Sequence, residues 1–211
     1  NELHYDSIYH EHLCFFSIKS MTNLLSKHNL KPYHVFKSPI SGGSWVIFFS
    51  KEERAISEEL KVAIRKEEED KVNDLESWKN FAEGALRHKE LTLEILSASK
   101  DKKIVGFGSS ARIQTYLNFC GINSNHMEAI IDNNDMKQGK YAPGSSLPIV
   151  SFESGMGLNP DIIFILAWNF KEEIMKSCRE KGFNFYNRFF QNIRTSFIIP
   201  IKFSNRITKF F

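Results

Sequence analysis

The sequence predicts an α/β chain whose C-terminal half is a Rossmann-like domain built on a parallel sheet, and three observations carry that prediction. From Lys103 onward, short apolar runs alternate with helical patterns at the spacing of a doubly wound sheet. Ile104-Val105-Gly106-Phe107-Gly108-Ser109-Ser110 reads as a strand that enters a Gly/Ser turn just before the helical stretch Ala111 to Phe119. Asp161 to Ala167 is uniformly apolar, which suits a strand buried on both faces.

The elements follow in order. Phe15, Ile18, Met21, Leu24 and Leu25 carry the spacing of one buried helical face over residues 15–29, with Asn29 and Pro32 as stop signals. Tyr33 to Lys37 and Trp45 to Ser50 are β-rich runs separated by Pro39 and Ser41-Gly42-Gly43-Ser44, as in a hairpin or two neighbouring strands. Lys51 to Lys100 is dense in Glu, Lys and Ala and lacks proline. Its Glu67-Glu68-Glu69-Asp70 run reads as a solvated face or the end of a first helix. Leu75, Trp78, Ala82, Ala85, Leu86, Leu93 and Leu96 then define one long amphipathic helix from Asp74 to about Ser99. In the second half, Ala129-Ile130-Ile131-Asp132 is a strand ending in an acid, and Pro148 to Phe152 is a short β-like run. A polar-faced helix over Lys171 to Lys181 is stopped by Gly182, and Ser196 to Ile201 is the last strand. The expected organisation is an N-terminal piece (1–50), a helical connector (51–102) and the Rossmann-like domain (103–211).

Composition narrows the classes. The net charge of +3 makes no case for nucleic acid or a membrane surface. Three widely spaced cysteines, Cys14, Cys120 and Cys178, exclude a disulfide framework and a self-contained four-cysteine zinc site, and suit a reducing, cytoplasmic setting. No apolar run is long enough to cross a bilayer, and no signal peptide opens the sequence.

Tyr9-His10-Glu11-His12 is the densest group of proton-handling side chains, set between apolar neighbours. A tyrosine, a carboxylate and two imidazoles can together hold an enol or keto oxygen and remove a nearby proton at neutral pH. They can equally serve as caps or surface groups ahead of a helix. The two histidines lack HExxH spacing and have no third ligand nearby, so they make no metal site by themselves. GFGSS with Asp132 at the end of the next strand has the form of a nucleotide-binding crossover, with helix amides for phosphate and an acid for a ribose hydroxyl. The third glycine is absent, since Ala111 and Arg112 stand in its place. The competing reading is a tight turn that holds no cofactor, with Arg112 either neutralising a diphosphate or simply solvated.

The run IYHEHLCFFS resembles the IYHEHLSYFS signature of S-adenosylmethionine-dependent C-methyltransferases that act on nucleotide-linked deoxysugars. GFGSSARIQTYLNFCGI is similar to that family's GYGAxAKGNTLLNYCGI, IDNNDMKQGKYAPGSSLPI to its IDxNPxKQGxYxPGTxIPI, and DIIFILAWNFKEEI to its DYILxLxWNxxxEI. The matches run in order and, with the signature, cover most of the chain. The departures are Cys14 for Ser, Phe15 for Tyr, Ser41 and Val46 for the His and Arg around the family's HGGS, Arg112 for Lys, Ile113-Gln114 for Gly-Asn, and Arg194-Thr195-Ser196 near a Gly-Gly.

The resemblance implies that residues 1–50 are the last helix and strands of a methyltransferase domain. The C-terminal domain would then pack beside that domain without binding the methyl donor itself. His12 would be the general base, Tyr9 and Glu11 would position the sugar and stabilise its enolate, and His10, Ser44, Gly108, Ser109 and Arg112 would contact the nucleotide-sugar. S-adenosylmethionine would be bound mainly by an upstream domain, and zinc would belong only to a module further upstream. Because the chain opens on Asn1 with no Gly-rich donor loop before the signature, the resemblance also implies a C-terminal portion of a longer enzyme, incomplete and inactive alone. Two readings from other classes stand beside it. One is a non-catalytic nucleotide- or nucleotide-sugar-binding module built on GFGSS and Asp132; the other is a nicotinamide oxidoreductase, which the incomplete glycine pattern weakens.

Overall fold

The structure, a computed structural model, describes residues 3–39, 43–181, 185–188 and 196–200. Ser41 and Gly42 of the GGS turn, the Gly182 stop, Arg194 and Thr195, and the last expected strand residue, Ile201, lie outside these. The chain divides into two compact units. One contains residues up to His4 together with His10–Arg87; the other contains Tyr5–Tyr9 and everything from His88 onward.

In the first unit, α1 (Ile18–Ser26) begins one turn later than the apolar periodicity suggests. Ser17 caps it, its hydroxyl accepting from Ser20 N–H while the Ser20 side chain accepts from Ser17 N–H. Asn29 ends the turn that follows in the left-handed region, at φ 58°. Strands β1 (Lys31–Ser38) and β2 (Ser44–Ser50) pair antiparallel, with an irregularity between Pro32 and His34 where proline cannot donate to the ladder. Helix α2 (Glu58–Glu69), capped by Ser57, packs on β1, and Ile18, Val35, Leu60 and Ala63 form the core. Glu67 departs from the solvated reading of its acidic run. Its carboxylate is buried and accepts from Ile18 N–H at 2.6 Å and Lys19 N–H at 3.3 Å, satisfying the first amides of α1.

Helix α3 (Leu75–Ala98) matches its predicted span to within a residue at each end, and the division between the units falls inside it, after Arg87. The second unit continues with β3 (Ile104–Phe107), α4 (Ala111–Cys120), β4 (Ala129–Ile131), β5 (Ile149–Val150), α5 (Phe152–Gly157), β6 (Ile162–Ile165), α6 (Lys171–Glu180), β7 (Phe185–Arg188) and β8 (Ser196–Pro200). The sheet order is β5-β4-β3-β6-β8-β7. The first four strands are parallel, as expected of a Rossmann-like unit, and β8 and β7 extend the sheet antiparallel. The strand β7 is absent from the sequence reading, although the aromatic pair Phe185-Tyr186 is a β-type signal.

The sheet is covered on both faces. Val105, Phe107, Ile131, Ile163 and Ile165 pack with α5 and α6 through Phe152, Met156, Ile174, Met175 and Cys178. On the opposite face, Phe164 meets Tyr116 of α4 edge-on, with ring centroids 6.2 Å apart. Every residue of β3, β4 and β6 is buried, which is why these strands read as continuous apolar runs rather than alternating ones.

Candidate functional site

The strand order reverses between β3 and β6, so the crevice beyond their C-terminal ends is where an open α/β sheet receives a ligand. In this chain many of its polar groups are bonded to one another, while Arg112 Nε and Gln114 Oε1 are buried without a hydrogen-bond partner. Asp132, at the end of β4, is buried. Its Oδ2 accepts from Ser109 N–H at 2.8 Å and from Lys137 Nζ at 3.2 Å, and its Oδ1 accepts from Asn134 N–H at 2.9 Å. Lys137 Nζ also donates to the Ser109 carbonyl at 2.8 Å, and Gln114 Nε2 donates to Ser109 Oγ at 3.0 Å. Both carboxylate oxygens that would hold a ribose are thereby engaged in closing the turn after β3 onto the turn after β4.

Gly108 is required here by packing. Its φ of +98° lies outside the range of ordinary side chains, and a Cβ on it would come within 2.4 Å of Ala167 Cβ at the end of β6. Ser109 is buried, and Ser110 occupies the N-cap position of α4 without a side-chain capping bond.

Arg112, in the first turn of α4, faces Asp6. The two are 2.9 Å apart (Arg112 Nη2 to Asp6 Oδ1), with side chains only 15% and 11% exposed. The other Asp6 oxygen accepts from Trp168 Nε1 at 3.1 Å, and the Arg112 guanidinium lies 5.1 Å from the centre of the Trp168 ring. Arg112 is thus held by a carboxylate of its own unit and is not solvated. Breaking a buried pair of this kind by removing one partner typically costs about 3–5 kcal/mol.

Asp6 belongs to a single 3-10 turn, Tyr5–Ser7. The Tyr5 hydroxyl is 2.6 Å from His88 Nδ1, and its ring packs on Phe119 at 5.0 Å between centroids. Burial lowers the His88 pKa from its ordinary value, opposed by the charge of Asp6. Burial also raises the Tyr5 hydroxyl far above its usual range and pushes the Cys120 thiol up to about 11. These groups are structural at neutral pH.

The signature residues lie just beyond this turn. Tyr9 is half-buried in the second unit, whereas His10, Glu11 and His12 are exposed in the first. His10 Nε2 and Glu11 Oε1 are 4.0 Å apart, with side chains 84% and 67% exposed. His12 stacks edge-on against Phe15 with centroids 5.9 Å apart. Ser44 is exposed at the start of β2, paired across the ladder with Ser38. The structure therefore groups Gly108, Ser109 and Arg112 in one crevice of the second unit, and leaves Glu11 and His12 on a solvent-facing loop before α1. Asp6, Trp168 and Lys137 are the crevice residues the sequence reading missed. Trp168 and Lys137 lie in recognised motifs, but no local pattern marks Asp6.

Among the described residues, no group of three or more His, Cys, Asp or Glu side chains could hold a metal ion, and no helix is long and apolar enough to cross a membrane. A family model described as the C-methyltransferase C-terminal domain matches residues 39–192. The C-methyltransferase NovU of Streptomyces niveus is 29% identical over 182 residues, a match covering 83% of this chain and 43% of that relative. The chain thus spans less than half the length of the relative it resembles.

Proposed function

Since the chain belongs to the C-methyltransferase C-terminal domain family, we propose that it is the C-terminal portion of an S-adenosylmethionine-dependent C-methyltransferase acting on a nucleotide-linked keto deoxysugar. The observation that carries this reading is the family match over most of the chain, combined with His10, Glu11 and His12 exposed ahead of α1, directly after Tyr9.

In this reading His12, as neutral imidazole, takes a proton from the carbon next to the sugar ketone. The electron pair moves into the carbonyl oxygen, and the Tyr9 hydroxyl donates to that oxygen as it gains charge. An ionised carboxylate only accepts hydrogen bonds, so Glu11 acts by holding a sugar hydroxyl or the His10 ring. Ser44 offers a further hydroxyl at the exposed start of β2.

S-adenosylmethionine would supply an electrophilic methyl group. The described residues do not fit it: the acid that would hold its ribose is occupied by Ser109, Lys137 and Asn134. The same three hydrogen bonds to Asp132 weigh against an independent nucleotide-binding module.

Replacement of His12 by Asn in the complete enzyme tests the proposal. Turnover should fall by roughly two to four orders of magnitude with little change in KM, and deuterium exchange from solvent into the substrate carbon should disappear. Retained exchange with near-normal turnover would remove His12 as the base.

A further inference from the structure

We propose that Asp6, Arg112 and Trp168 form a positioning set that fixes the segment ending in Tyr9, and that the switch-point crevice of this unit serves as a socket for the chain's own carboxylate. The catalytic consequence rests on the function proposed above; the anchoring does not.

The geometry is that of a binding site filled from within. Arg112 follows β3 and Trp168 follows β6, the two strands on either side of the switch point. Asp6 bridges them with one oxygen each, at 2.9 Å to Arg112 and 3.1 Å to Trp168. The indole N–H and the guanidinium can only donate, so an acceptor satisfies both, and a carboxylate also balances the guanidinium charge. In other open α/β sheets that anion belongs to a ligand; here it belongs to residue 6.

The anchor continues toward the signature. Tyr5 is fixed beside Asp6 through His88 and Phe119. Ile8 N–H donates to the Tyr5 carbonyl at 3.1 Å, Tyr9 N–H to the Ser7 carbonyl at 3.1 Å, and Thr115 Oγ1 to the Ile8 carbonyl at 3.4 Å. The backbone of residues 5–9 is therefore held at both ends, and Tyr9 leaves it with little freedom. A hydroxyl that must meet a developing oxyanion benefits from such placement, because displacements of about 1 Å can cost about 100-fold in rate.

Asp6→Asn is the test. It keeps the size and an acceptor for Trp168 but removes the charge opposite Arg112. The double variant Asp6→Asn/Arg112→Gln also removes the stranded cation and guards against misfolding. Amide hydrogen exchange on the purified chain should show protection of residues 5–9 falling about tenfold or more in both variants, with β3 and β6 unchanged. In the complete enzyme, with its nucleotide-linked keto deoxysugar and S-adenosylmethionine as probes, kcat should drop by roughly 10- to 100-fold while KM stays within about threefold. Asp6→Glu, which restores the charge, should recover part of both losses.

Unchanged exchange at residues 5–9 would overturn the anchor. Lost protection with unchanged kcat would overturn its positioning role. Failure of the functional reading is read separately, from His12→Asn, and leaves the exchange result standing.

Discussion

Gly108→Ala separates two reasons for a glycine after the first strand of such a unit: approach of a bound phosphate, or close packing of the chain on itself. The new Cβ would sit 2.4 Å from Ala167 Cβ, 3.2 Å from Ala167 N and 3.3 Å from Ala167 Cα. Two of these contacts are with backbone, which cannot swing aside. A side chain forced to remain near φ +98° costs roughly 1–2 kcal/mol, and overpacking of a tight contact adds roughly 1–3 kcal/mol. The expected loss is therefore roughly 2–5 kcal/mol, present without any ligand. At about 2–4 °C per kcal/mol for a chain of this size, the melting temperature should fall by roughly 4–20 °C. Urea denaturation followed by circular dichroism measures the loss. Ala167→Gly in the same chain removes the worst contact, so the double variant should recover more than half of the overpacking cost. A loss below about 0.5 kcal/mol, or no coupling between the two sites, would refute the packing argument and return Gly108 to the role of a ligand-facing glycine.

Two further outcomes follow from single buried groups. Glu67→Ala leaves the Ile18 and Lys19 amides without their partner. It should cost roughly 1.5–3 kcal/mol in urea denaturation, whereas Lys66→Ala, which breaks only an exposed pair with Asp70, should cost about 0–1 kcal/mol. Equal losses would show that Glu67 is not the cap. For His88 the folded pKa is lowered by burial, so the unfolded chain binds the proton more readily. The stability it contributes is present above the unfolded pKa of about 6.5 and is lost as pH falls toward the folded value. The melting temperature should decline between pH 7.5 and 5, and His88→Gln should flatten that decline; an identical slope in the variant would exclude His88 as its source.

How much of this was legible in the sequence depends on the range of the cause. Helix α3 was found because an apolar period sustained over many residues is a local signal that tertiary packing does not alter. β3 and β6 were found because burial on both faces makes them uniformly apolar. β8 was found as a strand, but β7 and the antiparallel direction of both were not, because the pairing of β8 with β6 and β7 is set by topology and not by any local period. Glu67 sat within a run of like charges that ordinarily faces water, and only α1, 49 residues earlier, turns it inward.

The crevice shows the same limit most sharply. GFGSS and Asp132 were correctly placed at the ends of β3 and β4, and the incomplete glycine pattern was already a departure from a dinucleotide site. What completes the crevice is a carboxylate 106 residues before its arginine and 162 before its tryptophan. Neither separation has a sequence rule, because the contact is made by topology and not by spacing. The crossover turn itself is closed by Asp132, and only the fold brings Asp6 to Arg112 and Trp168 beside it. In this chain the anion beside Arg112 and Trp168 is Asp6, three residues ahead of Tyr9, so the donors that could have met a ligand there meet the chain's own carboxylate.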